Sequence, residues 1–331
     1  MRGVAWLLML AAVPLVGQKK PKDNLSGYDK SARATVVHDT IVYVAPDDSS
    51  QKVGEVTPGH ELVVTQRSGP WVKVFANTDE ADRVEEEPEF SDADKVMPGV
   101  GWVKDKGIVT PDTPNGDSIL FGTAANLEDA AERPHAPKGA ATGAHYLYRR
   151  VFEYFPSSPV SGEAAWRSAD IRWQLEKADI STLPSAKEQE AYLRPQIYDG
   201  DLKRVMKQYP GSKYAMMAAY DLLDNKLCGD WQGLPKCPEM ESGLYLKYAE
   251  QNPESPRSAE AFYNAVYRQG VLVTMYQVQD ERKRAEGAAK RTAEITAEMR
   301  SRFGGSDFTR RAESIAYRVS QGISIYGNDR D

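Results

Sequence analysis

The chain has 331 residues, enough for two domains of ordinary size. Its 41% hydrophobic and 27% charged residues are typical of a soluble globular protein. The formal net charge of −6 has the wrong sign for general binding to nucleic acid.

The first residues have the order of a secretory signal peptide. Arg2 supplies a positive start, residues 4–13 form an apolar run, and Pro14 breaks that run. The run is shorter than the roughly 20 residues that a membrane-spanning helix needs. The sequence therefore predicts a signal peptide over residues 1–17, a disordered linker over 18–32, and an exported protein, periplasmic or extracellular. An uncleaved membrane anchor is the alternative.

Between residues 33 and 110 apolar side chains alternate along the chain, which indicates β-strands. Pro58-Gly59 and Ser68-Gly69-Pro70 mark turns between them. The predicted strands are residues 40–44, 61–65, 71–74 and 100–103. Several short strands separated by turns favour a small all-β barrel.

The motifs of this region resemble those of the bacterial SH3-like (SH3b) domain. They are Tyr43-Val44-Ala45-Pro46, Val53-Gly54-Glu55-Val56, Gly69-Pro70-Trp71-Val72-Lys73-Val74 and Gly101-Trp102-Val103. Members of that family are commonly secreted, bind cell-wall peptides or other proteins, and carry no catalytic residues. The resemblance implies an SH3-like barrel over residues 33–110, with Tyr43 and Trp71 lining a candidate ligand groove. Trp71 has a second interpretation as a core residue, and for Trp102 the core is the favoured place.

An acidic insertion over residues 77–98 departs from the family pattern. It contains Glu85-Glu86-Glu87, and like charges packed this densely repel one another and stay solvated. The sequence therefore predicts a loosely held loop that shades the candidate groove. The alternative is an arm that binds calcium or a basic partner, although the segment lacks the spaced oxygen ligands and the glycine of a calcium loop.

Residues 111–140 are rich in Pro and Gly and form a predicted linker. Within it, residues 118–133 carry apolar side chains at helical spacing, which predicts a short helix that caps the following domain.

One short phrase occurs four times in residues 141–327. Its complete form is an aromatic residue or Asn, then Pro-x-Ser, with an Ala eight residues after the Pro; Gly replaces Pro in the last copy. The copies begin at Phe155, Tyr209, Asn252 and Phe303. Pro ends one helix, Ser caps the next, and in two copies a second Pro suits the first helical position. A small Ala lets two helices approach closely, so each copy predicts a helix–turn–helix unit.

This pattern resembles the tetratricopeptide-like repeats of bacterial envelope proteins, among them periplasmic lipoproteins that assist outer-membrane β-barrel assembly and cell-division coordinators. The copies stand 43 to 54 residues apart, wider than the usual spacing of about 34, so the units are irregular. The resemblance implies an all-α solenoid over residues 141–327. The expected fold is thus multidomain: an all-β SH3-like barrel followed by an all-α helical repeat domain.

The two cysteines, Cys228 and Cys237, stand nine positions apart. In an exported chain a lone pair this close indicates a disulfide, and no His or second Cys pair lies nearby to complete a zinc site. Trp231 lies within the loop that the disulfide would close. The loop is a candidate partner contact; the alternative is that Trp231 folds back onto its own helices.

Signals of catalysis are weak in this sequence. Residues 116–119 match the nucleophile block of one esterase family but lack its preceding strand and a downstream His partner. Residues 49–52 match Ser-x-x-Lys in isolation, and the four histidines are scattered. The sequence therefore predicts no enzyme, no catalytic residue, no metal and no cofactor.

These features together predict a non-catalytic envelope adaptor. Its barrel would bind a peptide, cell-wall or protein ligand, with peptidoglycan as one candidate, and its helical array would bind a protein partner. It would bind no nucleic acid and would have no membrane span after signal cleavage. The alternatives are an envelope-assembly or chaperone-like repeat protein and an accessory subunit of a cell-wall hydrolase.

Overall fold

The structure is a computed structural model that describes residues 32–79 and 99–327. The predicted signal peptide over residues 1–17 lies outside the described residues. So do residues 18–31 of the predicted linker and residues 80–98 of the predicted acidic insertion.

Seven antiparallel strands in the described residues form one curled sheet. They are β1 (Arg33–Val36), β2 (Thr40–Tyr43), β3 (Lys52–Val56), β4 (Glu61–Ser68), β5 (Trp71–Ala76), β6 (Gly99–Lys104) and β7 (Ile108–Val109). Their order across the sheet is β3-β2-β6-β5-β4-β1-β7. The four strands predicted from alternation are confirmed as β2, β4, β5 and β6.

One face of the sheet is packed into a small apolar core. The core residues alternate with outward-facing neighbours because successive side chains of a strand point to opposite faces. They are Ala34, Val36, Val42, Val56, Leu62, Val72, Val74, Ala76 and Val103. Most are small or β-branched, which suits close packing inside a tightly curled sheet.

Nine α-helices follow the sheet within the described residues. They are α1 (Gly116–Ala131), α2 (Ala140–Tyr154), α3 (Ser161–Ser181), α4 (Gly200–Gln208), α5 (Lys213–Asp221), α6 (Lys236–Gln251), α7 (Ser258–Val278), α8 (Arg282–Phe303) and α9 (Asp307–Ser320). The short helix predicted in the linker is α1, which packs against α2. The coarse fold class, a β part followed by an α part, is confirmed. No helix among those described is long and apolar enough to span a membrane.

The repeated phrase lies at the turn within four successive helix pairs, α2–α3, α4–α5, α6–α7 and α8–α9. In every pair the Ala eight residues after the Pro, or after its Gly replacement, is fully buried. These residues are Ala164, Ala218, Ala261 and Ala312, each with 0% exposure. Their burial fits the prediction that a small residue stands where neighbouring helices meet.

The Ser of the phrase caps the second helix in two of the four copies. The Ser212 hydroxyl accepts a hydrogen bond from the Ala215 N–H at 3.2 Å, and the Ser306 hydroxyl accepts one from the Phe308 N–H at 3.2 Å. Each cap satisfies a backbone donor that has no partner within the helix itself.

In the two copies where Pro follows Ser, the predicted cap is wrong. Helices α3 and α7 begin three residues after Ser158 and Ser255, at Ser161 and Ser258. The Ser255 hydroxyl lies 2.6 Å from the hydroxyl of Tyr248, within the helical core. The chain therefore makes an additional turn after Ser-Pro before the helix starts, and Pro is not the first helical residue.

The sheet contacts the helices through the turn between β3 and β4. Gly59 in this turn has φ +86°, and a Cβ added to it would lie 2.5 Å from the backbone N of Leu147 and 2.6 Å from the Cβ of Tyr146. Any side chain at Gly59 would therefore collide with α2. The Gly59 carbonyl accepts a hydrogen bond from Arg150 Nε at 2.9 Å, which fixes the turn on the helix.

A buried ionic network strengthens the same contact. The Arg150 side chain is 1% exposed and forms ion pairs with Asp79, from the end of the β5 segment, and with Glu153 on its own helix. Arg33 on β1 reaches Glu153 at 3.2 Å. Burial raises the pKa of Glu153, but the charges of Arg150 and Arg149 outweigh burial and hold that pKa at about 2. At neutral pH, ion pairs thus join the sheet to α2.

Candidate binding surfaces

The aromatic residues of β5 and β6 lie on the face of the sheet that points away from its core. Val72 and Val103 belong to the core, so their neighbours Trp71 and Trp102 point to the other side. Trp102 stands directly opposite Tyr43 of β2. The expectation that Trp102 is a core residue is therefore wrong, because its strand neighbour already occupies the core face.

Tyr43 and Trp71, the two predicted groove residues, are in contact on this outer face. Their rings meet edge to face, with centroids 5.4 Å apart and an interplanar angle of 85°. Lys104 Nζ lies 5.6 Å from the Trp71 ring centroid and 2.8 Å from a carboxylate oxygen of Asp48. Tyr43 and Trp71 are only 9% and 8% exposed, so they form a covered floor and offer little direct contact to a ligand.

The accessible part of this face lies beside that floor. Val100 on β6 is 61% exposed, and Trp102, two residues further along, is half-buried. Phe75 stands opposite Val100 and Lys73 stands opposite Trp102. We call this surface the aromatic face; it consists of Tyr43, Trp71, Phe75, Val100 and Trp102.

The aromatic face combines flat apolar rings with nearby lysines. Such a surface can pack against an apolar or planar group of a ligand. The ammonium group of Lys73 adds a positive charge beside this surface. The strand alternation around Val103 is the sequence signal that would have assigned Trp102 and Val100 to this face.

The Cys228–Cys237 disulfide is confirmed, with the two Cα atoms 6.0 Å apart. Trp231, inside the closed loop, is 1% exposed, and its indole N–H donates to Glu241 Oε1 at 3.2 Å. Glu241 is itself buried and accepts from Arg268 Nε at 2.7 Å. The structure therefore places Trp231 in the helical interior, as in the folded-back alternative, where the ring does not face a partner.

Helix α3 is joined to the end of α5 by two tryptophan–aspartate hydrogen bonds. Trp166 Nε1 donates to Asp221 at 3.2 Å, and Trp173 Nε1 donates to Asp224, just after α5, at 3.3 Å. Asp170 lies between the two tryptophans on the same face of α3, since residues four and three apart share a helix face. Three carboxylates are thus collected along one side of α3.

Two of these carboxyl groups have raised pKa values. Burial, and then the charge of Asp170, raises the pKa of Asp221 to about 7. Burial is also the main cause of the raised pKa of Asp170. Asp170 and Asp221 are 51 positions apart in the chain, so no sequence pattern brings them together.

The other chemical signals of the sequence do not converge on a reactive site in the described residues. Asp117, in the esterase-like segment, accepts a hydrogen bond from the Ser158 hydroxyl at 2.6 Å, which ties the start of α1 to the α2–α3 turn. Over residues 32–79 and 99–327, no group of three His, Cys, Asp or Glu side chains is placed to hold a metal ion. Neither a model of a known protein family nor a curated protein matches the sequence.

Proposed function

We propose that the protein is an exported, non-catalytic adaptor. Its sheet binds a peptide, cell-wall or protein ligand on the aromatic face, and its helices hold a protein partner. In this proposal the sheet is an SH3-like barrel and the helix pairs form a tetratricopeptide-like solenoid. The observation that carries the proposal is the position of Trp102 and Val100 on the outer face of the sheet, where Val100 is exposed and Trp102 is half-buried.

The geometry of the aromatic face suits recognition of an extended ligand. The edge-to-face contact of Tyr43 with Trp71 holds the floor in one arrangement before a ligand arrives. A preformed surface loses little conformational entropy on binding, so more of the contact energy appears as affinity. Aromatic residues also contribute a large share of the energy in known interfaces, which makes Trp102 the main contact in this proposal.

The contact between the sheet and α2 supports an adaptor role. Arg150, Asp79 and Glu153 are joined by ion pairs at this contact, and Gly59 fits only without a side chain. A ligand on the aromatic face and a partner on the helices would therefore be held at a fixed separation. Tethering two molecules in this way requires no chemical step.

Co-sedimentation with peptidoglycan sacculi tests the cell-wall form of the proposal. The purified, oxidised protein is expected to pellet with sacculi, and Trp102→Ala is expected to remain in the supernatant. Tyr192→Ala is the matched control, because Tyr192 is 79% exposed in the helical part and lies outside the aromatic face. Point substitutions are preferable to deleting the sheet, since deletion would uncover the buried charge of Arg150.

Each outcome of this experiment has a distinct meaning. Loss of pelleting by Trp102→Ala, with Tyr192→Ala unchanged, supports a wall ligand on the aromatic face. Equal pelleting of all three proteins contradicts the assignment of that face. Absence of pelleting by the unsubstituted protein removes the cell wall as the ligand.

A further inference from the structure

We propose that α7 carries a groove for an extended peptide, and that residues 323–327 of the chain occupy it as a replaceable internal ligand. We call it the α7 groove; its residues are Tyr267, Gly270 and Thr274 on α7 and Ile315 and Val319 on α9. A protein partner of the helices binds by placing an extended segment in this groove and displacing residues 323–327. The inference deepens the proposed role of the helices in holding a protein partner and rests on that proposal.

The chain turns back onto α7 directly after the end of α9. Gly322 has a φ of +68°, a left-handed conformation that suits glycine and ends the helix. The N–H of Ile323 donates to the carbonyl of Arg318 at 2.9 Å, which completes the turn. Residues 323–327 then continue without helix or strand structure and contact α7.

Side chains of α7 bind the main chain of this segment. The N–H of Ile325 donates to Oγ1 of Thr274 at 2.9 Å, and the hydroxyl of Tyr267 donates to the carbonyl of Tyr326 at 2.9 Å. Tyr267 and Thr274 lie seven residues apart on one face of α7, about 10 Å along its axis, a separation that an extended peptide can span. Every peptide has main-chain acceptors and nearly every residue has a main-chain donor, so these two contacts depend little on the sequence of the ligand.

One buried side chain gives the α7 groove its sequence preference. Ile325 is 3% exposed, whereas its neighbours Ile323 and Tyr326 are 49% and 74% exposed. A Cβ added to Gly270 would lie 2.8 Å from Ile315 and 3.5 Å from Ile325, so the missing side chain of Gly270 leaves room in the floor of the groove. The ligand class is therefore an extended peptide with a β-branched apolar residue, isoleucine or valine, at the buried position.

A partner peptide can supply each contact that the internal segment makes with α7. These contacts use a main-chain donor, a main-chain acceptor and one apolar side chain. The internal segment is tethered to α9, which gives it an effective concentration on the order of millimolar. The apparent affinity of a partner is therefore reduced in proportion to the fraction of molecules in which the groove is vacant.

Peptide binding to the full, oxidised chain tests the proposal. The probe is a fluorescein-labelled peptide with the sequence of residues 320–327, and fluorescence anisotropy measures its dissociation constant. Ile325→Asp in the protein puts a carboxylate at the buried position, so the internal segment leaves the groove. The probe is then expected to bind Ile325→Asp at least about tenfold more tightly than the unsubstituted chain.

Matched variants assign the gain in affinity to the α7 groove. Ile323→Asp adds the same charge at an exposed position two residues away, and its affinity for the probe is expected to equal that of the unsubstituted chain. A probe that carries Ile325→Asp is expected not to bind. Thr274→Val, added to the Ile325→Asp chain, removes the hydroxyl that accepts the main-chain N–H and is expected to weaken binding by about fivefold. Circular dichroism checks that each variant retains its helices.

Undetectable binding to all three chains at millimolar concentration, or equal affinity for the three, would overturn the proposal. Binding of the Ile325→Asp probe as tight as that of the original probe would do the same. If Ile325→Asp does not fold, Ile325→Ala replaces it, with a smaller gain in affinity expected and an absent gain contradicting the proposal. The sacculus experiment uses other residues, so a protein that does not pellet but exchanges its segment for the probe separates failure of the wall ligand from failure of the α7 groove.

Discussion

Gly59 illustrates how a single residue determines the contact between the sheet and the helices. Its positive φ suits the turn after Pro58, and its missing Cβ leaves room for the backbone of α2. From the sequence, Pro58-Gly59 is a turn between strands. The structure adds that the turn is also the surface on which the helical part docks, through Arg150.

Gly59→Ala is expected to destabilise the protein by about 2 to 4 kcal/mol, because backbone strain at positive φ adds to a steric clash with Leu147. Gly211→Ala is the matched control. Gly211 also has a positive φ, +73°, but nothing lies within 4 Å of its added Cβ, so strain alone of about 1 to 2 kcal/mol is expected. Urea denaturation followed by circular dichroism measures the free energy of unfolding of both variants. Equal destabilisation by Gly59→Ala and Gly211→Ala would contradict the docking role of Gly59.

At the scale of elements, the four helix pairs follow one packing rule. A fully buried Ala in the second helix of each pair lets the neighbouring helices approach closely, and an apolar residue five before the Pro, or its replacement, fills the first helix. These apolar residues are Val151, Val205, Tyr248 and Met299, each at most 4% exposed. The spacing of this phrase was sufficient to locate all four turns. Ser158 and Ser255 show its limit, because both precede a Pro and the helix begins three residues later in each case.

Ala261→Leu is expected to lower the free energy of unfolding by about 1 to 3 kcal/mol, since three added carbon atoms have no space between the helices. Ala293→Leu on the exposed side of α8 is expected to change it by less than about 0.5 kcal/mol. Thermal or urea denaturation measures the free energy of unfolding of Ala261→Leu and of Ala293→Leu. A similar small effect at both positions would show that the buried Ala is not a tight packing point.

At the scale of the whole molecule, the buried ion pairs of α2 make the sheet and the helices one unit. Arg150 on α2 forms ion pairs with Asp79, which follows β5, and with Glu153 on its own helix. These ion pairs connect the two parts of the molecule that the sequence analysis separates by a linker. Long-range ion pairs of this kind carry no local sequence signal, since Asp79 and Arg150 stand 71 residues apart.

Arg150→Met is expected to destabilise the protein by about 3 to 5 kcal/mol at pH 7, because it leaves the carboxylate of Asp79 without its buried arginine partner and removes one of the arginines that surround Glu153. The pKa of Glu153 is about 2 in the folded protein, so its contribution is present above the unfolded value near 4.5 and is lost as pH falls through 2. The difference between the two proteins is therefore expected to narrow in acid. Denaturation curves from pH 7 to pH 2 measure the free energy of unfolding of the unsubstituted protein and of Arg150→Met. A difference between them that stays constant over this range would contradict an ionic origin of the destabilisation.

The candidate surfaces were only partly predictable. Tyr43 and Trp71 were named from motif positions and do meet, but both are buried, and the half-buried Trp102 is the more accessible ring. Trp231 had two interpretations, and only the buried acceptor Glu241 decides between them.

The sequence by itself indicated a β part followed by helices, four of the seven described strands, the four helix–helix turns, the small Ala after each turn and the pairing of two nearby cysteines. These features depend on local periodicity, on the backbone limits of Pro and Gly, and on short separations along the chain. The tertiary structure alone decided which side chains are covered, which distant charges form ion pairs, and how the sheet rests on α2. Those properties depend on contacts between residues far apart in the chain, where packing and burial, rather than local pattern, set the energy.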